Sequence, residues 1–195
     1  MVDDKLFLSA DDLLADAFAL AQIVLESGFE PTHLVGVWRG GAPVAVAVEE
    51  AFRYHGIKAD NIAVRTRAYA SIDKLRREVS VHGLEYLADC LTPQNRLLIV
   101  DDVFDRGHSL ETLIGRLREV CGPAMPGEVK TACVWYKPAR RETELAPDYY
   151  VHETARWLVF PHELEGLTPD EIAQHKRVPA GFADAAERRR RIARK

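Results

Sequence analysis

Residues 96–109, "RLLIVDDVFDRGHS", constrain this chain most. An unbroken apolar run of this length is the pattern of a strand buried on both faces of a parallel sheet. It runs directly into Asp101 and Asp102, then Asp105, Arg106, Gly107, His108 and Ser109. Beyond them Leu110, Leu113, Ile114, Leu117 and Val120 repeat at helical spacing up to Gly122. A buried strand, a charged turn and a helix in succession form half of a βαβ unit. The chain must therefore cross back over a sheet.

The rest of the sequence supplies the other pieces. Ser9 is a candidate N-cap, with Asp11 and Asp12 in the first turn, followed by a stripe at Leu14, Phe18, Ala21 and Leu25 that Gly28 ends. "HLVGVW" (33–38) reads as a buried strand, "RGGA" as a turn, and Pro43 opens a helix that stops near Gly56. "IAVRTR" (62–67), "VSVHG" (79–83) and "VKTACVWY" (129–136) read as strands, and residues 68–78 as a polar, basic loop. "YYV" and "WLVF" are short extended pieces, and "TPDEIAQHK" is a capped final helix. The alternation gives an α/β fold with a mainly parallel central sheet flanked by helices. In such sheets ligands bind where strands end and helices begin, which singles out the turns at 38–42 and 101–109.

Composition sets the class. With 195 residues, 47% of them hydrophobic, the chain can bury one sizeable core. Its net charge of −4 disfavours general nucleic-acid binding, although the last ten residues, "AERRRRIARK", are strongly basic. Cys90, Cys121 and Cys133 are widely spaced and form no CxxC pair, which fits reduced thiols in a cytoplasm. The first residues are acidic where a signal peptide is basic, and the apolar run at 13–25 is too short to span a bilayer. The expectation is a cytoplasmic protein without membrane partners.

The chemistry of the two turns is specific. Gly107 lets backbone N–H groups converge at a helix start, and Ser109, His108 and Arg106 add donors, so 105–109 is a phosphate cradle. Asp101 and Asp102 would repel that phosphate if they faced it, but suit sugar hydroxyls and hydrated Mg²⁺ a few ångströms away. A ribose 5-phosphate satisfies both halves. At the other turn Gly40 and Gly41 allow close approach of backbone to an anion, and Arg39 offers charge-assisted bonds.

Residues 97–110 resemble the motif of the type I phosphoribosyltransferases that binds 5-phosphoribosyl-1-pyrophosphate (PRPP), with Arg106 where that family usually has threonine. "VGVWRGGAPVA" resembles the same family's pyrophosphate loop, in which the peptide equivalent to Trp38–Arg39 is cis. "VKTACVWYKP" and "PDYYVHETARWLVFPHE" are similar to the base-binding end of the 6-oxopurine enzymes. The resemblance implies a Mg²⁺-dependent transfer of the phosphoribosyl group of PRPP to hypoxanthine, guanine or xanthine. It implies PRPP contacts from Asp101, Asp102, Asp105, Arg106, Gly107, His108, Ser109, Arg39, Gly40 and Gly41. Lys137 would bond the 6-oxo group, Trp157 would stack on the ring, and Leu158 would offer backbone groups. Asp101, Asp102 and Glu163 would serve the metal, and Asp105 and Arg39 the chemistry. The 68–78 loop, with Tyr69, Lys74, Arg76 and Arg77, is the candidate lid.

The implied layout is one domain over 1–175, with a core at about 9–136, a base-binding hood at about 137–175 and a basic tail at 176–195, assembled as a homo-dimer or tetramer. Two alternatives stay open: the same fold acting on a pyrimidine or other heterocycle, and a PRPP-sensing regulator whose basic surface binds nucleic acid.

Overall fold

The computed structural model describes residues 5–70 and 77–182, which divide into two compact units. The larger unit, Leu14–Ala155, holds a six-stranded sheet. Along the chain the elements are β1 (Lys5–Phe7), α1 (Ala10–Glu26), β2 (His33–Trp38), α2 (Gly41–Tyr54), β3 (Asp60–Ala70) and β4 (Arg77–His82). They continue with α3 (Glu85–Cys90), β5 (Arg96–Phe104), α4 (His108–Cys121), β6 (Glu128–Tyr136), β7 (Tyr149–Glu153), β8 (Trp157–Val159) and α5 (Pro169–His175).

The sheet order is β4-β3-β2-β5-β6-β7, and every pairing is parallel except β3 with β4. From β2 the chain moves outward through β3 to one edge, and from β5 through β6 to the other. The order reverses between β2 and β5, so their carboxyl ends border the crevice of an open α/β sheet. Both turns singled out in the sequence open there.

Leu97–Val100 of β5 are fully buried, as an unbroken apolar run requires. Val35, Val64, Ile99, Phe104, Leu113 and Leu117 belong to one cluster between the sheet and α4. Full burial of each such side chain contributes roughly 1.5–3 kcal/mol. On α4 the predicted stripe is buried from Leu110 to Leu117, whereas Val120 is exposed in the last turn.

Several sequence expectations shift. On α1 the buried face is Ala17, Leu20, Ala21 and Val24, while Leu14 and Phe18 are exposed. The helix is apolar around more than half its circumference, so periodicity alone could not choose the face. Ser9 does cap it: its Oγ accepts from Asp12 N at 3.0 Å. α2 starts at Gly41, before Pro43. Residues 68–70 and 77–78, read as loop, extend β3 and β4, while 71–76, including Lys74 and Arg76 of the candidate lid, lie outside the described residues. α3 was missed, because six residues are too few for a helical period to register.

The smaller unit comprises residues 5–13 and 156–182. Within it β1 pairs in parallel with β8, aligning Leu6 with Leu158. Thr168 caps α5 through a reciprocal box with Glu171, and Lys5 Nζ reaches Glu171 Oε1 at 2.6 Å. Residues 137–155 group with the core instead of the hood, since β7 hydrogen-bonds to β6. The arginine-rich tail from 183 onward lies outside the described residues.

Candidate active site

The crevice is built by two turns pressed together. A Cβ on Gly40 would lie 1.7 Å from Asp102 Oδ2, and one on Gly41 would lie 2.7 Å from Asp101 Cα. Only glycine at both positions lets the Arg39-Gly-Gly turn lie on the aspartate pair. The glycines thus serve the approach of protein to protein, in addition to any approach to an anion. The Trp38–Arg39 peptide is cis, and the exposed Arg39 side chain has no hydrogen bond or ion pair to a described residue.

Asp101 Oδ1 accepts from Asp102 N at 2.9 Å, and Asp102 Oδ1 accepts from Val103 N at 2.8 Å. Asp101 keeps partial solvent access, yet protein atoms enclose its carboxylate. Burial, and then the charge of Asp102, hold its carboxyl well above the usual range. Two crowded hard-oxygen donors are a set that a hydrated divalent cation fits, because the cation relieves their repulsion.

The β5–α4 turn carries the anion cradle. Gly107 adopts φ +93° at the N-cap of α4, and a Cβ there would meet Thr143 Oγ1 at 2.2 Å. The first N–H groups of α4 are left without helical partners at the same point. Around this cradle the segment after β6 supplies charged residues that sequence reasoning missed. Glu142 accepts from Arg106 Nη1 at 2.6 Å and lies 2.9 Å from His108 Nε2. The His108 hydrogen bond, and then Arg106, hold the Glu142 carboxyl below the usual range. Arg140 Nε lies 2.7 Å from Asp105 Oδ1 at an angle unsuited to a hydrogen bond, so charge alone holds that pair. The only sequence signal was the dense charge of "KPARRETE" beside an anion turn.

Phosphoribosyl transferase domains match residues 9–165 of this sequence. The chain belongs to that family. No curated protein sequence matches it. Among solved structures it is similar to a purine phosphoribosyltransferase from Pyrococcus horikoshii Ot3, at 30% identity over 85% of this chain and 98% of that one, with a TM-score of 0.67. The fold is shared with the Helicobacter pylori xanthine-guanine-hypoxanthine phosphoribosyltransferase, at 18% identity over 80% and 92% and a TM-score of 0.62. It is shared as well with a hypothetical protein from Neisseria gonorrhoeae with bound ppGpp, at 17% identity over 90% and 97% and a TM-score of 0.69.

The remaining family positions fall as follows. Lys137 follows β6 and is only 4% exposed, with its N–H bonded to Phe104 O at 2.9 Å. In the smaller unit Trp157 is 52% exposed, so its indole is no core residue, and Leu158 is buried. Glu163 belongs to that unit too, where its Oε2 accepts from Phe160 N at 3.0 Å. Ser109 is exposed in the first turn of α4. Among the described residues no helix is long and apolar enough to cross a membrane.

Proposed function

We propose that this phosphoribosyltransferase joins PRPP to a 6-oxopurine, releasing pyrophosphate and forming a nucleotide, and that it requires Mg²⁺. The observation that carries the reading is the packing of Gly40 and Gly41 on Asp102 and Asp101. It sets a cationic turn, a carboxylate pair and a helix-start cradle around one crevice, matching the pyrophosphate, diol and 5′-phosphate of PRPP in turn.

In this reading the cradle at 105–109 binds the 5′-phosphate, and Asp101 and Asp102 accept from the ribose hydroxyls. Arg39 and the Gly40–Gly41 backbone take the pyrophosphate. Asp101, Asp102 and Glu163 are the candidate metal ligands, and Mg²⁺ when bound would offset charge on the leaving pyrophosphate. The sugar becomes electron-poor at C1 as pyrophosphate departs, and the aspartates stabilise that charge. Attack by the purine nitrogen requires a proton to leave the base, and Asp105 is the carboxylate that takes it. Lys137 donates to the 6-oxo group, Trp157 stacks on the ring, and Leu158 offers backbone groups. Location in the cytoplasm and assembly as a homo-dimer or tetramer belong to the same proposal, the latter checked by sedimentation equilibrium.

The test is nucleotide formation from PRPP with hypoxanthine, guanine, xanthine and a set of pyrimidines, with and without Mg²⁺. Turnover confined to 6-oxopurines and dependent on Mg²⁺ supports the reading. Turnover of a pyrimidine alone moves the assignment to another base. PRPP binding with no turnover of any base moves it to a sensor.

A further inference from the structure

The amino ends of the strands carry a second group of chemically active side chains. His33 and Asp60 are the first residues of β2 and β3 and are register partners, and Cys90 is the last residue of α3. One ligand atom from each lies within 4.8 Å of the other two. The six residues of β2 separate this cluster from Arg39 by roughly 17–20 Å, so it is no part of the PRPP crevice.

Each member is oriented by a neighbour. The Thr32 hydroxyl accepts from Arg96 N at 2.9 Å and lies 3.2 Å from Arg96 O and 3.0 Å from His33 Nδ1. A hydroxyl partner on one ring nitrogen leaves the other for a ligand, the arrangement that outer partners give metal-binding histidines. Asp60 Oδ1 accepts from Asn61 N at 2.8 Å, and its Oδ2 accepts from the Tyr86 hydroxyl. Cys90 is a free, half-buried thiol that donates to Leu87 O at 3.8 Å.

We propose that His33, Asp60 and Cys90 form a binding site for a thiophilic divalent cation, with Zn²⁺ the ion that their donor set fits best. A soft thiolate and a borderline imidazole nitrogen beside a single hard carboxylate oxygen select against Mg²⁺ and Ca²⁺. Tetrahedral Zn²⁺ holds its ligands about 3.5 Å apart, so atoms already within 4.8 Å close by side-chain rotation. Three protein ligands leave the fourth position to water. On binding, the cation takes the Cys90 sulfur as thiolate and the thiol proton passes to buffer. Burial, and then the charge of Asp60, push the thiol up in the absence of a cation, and a divalent charge reverses that balance. The bound ion ties α3, a helix of six residues and too short to persist alone, to the two strands beside it.

Titrating the full chain with Co²⁺ tests the site without reference to catalysis. One equivalent should give the near-ultraviolet thiolate-to-cobalt charge-transfer band, and Zn²⁺ should bleach it. Cys90→Ser should remove the band, and Asp60→Asn should weaken affinity by at least about tenfold. Asp101→Asn should leave the band intact, since oxygen donors give no such transition. Zn²⁺ should also raise the Tm of the wild type and leave that of Cys90→Ser unchanged. Absence of the band in the wild type, or a band that survives Cys90→Ser, overturns the site. If Cys90→Ser fails to fold, Asp60→Asn decides, because that residue is exposed: undiminished Co²⁺ affinity in it overturns the proposal.

Discussion

Arg140 Nε sits 2.7 Å from Asp105 Oδ1, joining the segment after β6 to the turn before α4. The carboxylate proposed to take the purine proton is thereby held in place. Asp105→Asn should lower turnover by roughly 10²–10⁴-fold, the usual worth of general acid–base catalysis, with PRPP affinity unchanged or slightly higher. Arg140→Met should cost at most about fivefold, since a half-exposed ion pair is worth about 0.2–1 kcal/mol. Single-turnover kinetics check both, and wild-type chemistry in Asp105→Asn would remove the catalytic role.

Glu142 ties up two side chains of the phosphate cradle, the Arg106 guanidinium and the His108 imidazole. A phosphate arriving there competes with a carboxylate. Glu142→Gln should tighten PRPP binding, and Arg106→Thr should weaken it and flatten its salt dependence, with little change in the chemical step. Glu142 has its carboxyl held below the ordinary value, so its stabilising contribution is complete above that value and lost as pH falls through the depressed one. Calorimetry at two salt concentrations measures the binding effects.

The Asp101–Asp102 pair carries the opposite sign. Asp101 is held above its ordinary range, so its contribution to stability is fully present below the unfolded pKa and is lost as pH rises toward the raised one. At neutral pH and without metal the pair therefore costs stability. Asp102→Asn should raise stability at pH 7 by roughly 0.5–2 kcal/mol, the usual gain on relaxing a strained functional site. The gain should shrink at acid pH, where Asp101 is already protonated in the wild type. The double variant Asp101→Asn/Asp102→Asn should lose Mg²⁺-dependent PRPP binding. Melting curves in a metal chelator test the first expectation and titration calorimetry the second.

Gly40→Ala isolates the packing of the two turns. Gly40 has φ −69°, which alanine adopts freely, so the cost comes from the Asp102 carboxylate in the path of the new methyl group. Overpacking of this kind costs about 1–3 kcal/mol, and displacing Asp102 should weaken PRPP binding far more than stability. Equal PRPP affinity in a folded Gly40→Ala protein would show that the contact does not position the site.

Lys137→Met keeps the length of a buried side chain and removes its donor. It should weaken 6-oxopurine binding by roughly 1–3 kcal/mol, the range for a partner left unsatisfied, and leave PRPP affinity nearly intact. Michaelis constants for each base provide the check.

By itself the sequence determined the α/β class, most strand positions and both turns. These follow from local rules: an unbroken apolar run cannot form a surface, and Gly with acids at a strand end marks a turn. The cis peptide at Trp38–Arg39 was legible only through the family resemblance. Tertiary structure decided the rest. It chose the Ala17–Leu20–Val24 face of α1 over the Leu14–Phe18 stripe, because the sheet selects among faces of similar polarity. It brought Glu142 onto Arg106, 36 residues away, and seated Gly40 on Asp102. It gathered His33, Asp60 and Cys90 from three separate elements. No local periodicity encodes such meetings, because strand order and crossover direction set which distant residues become neighbours.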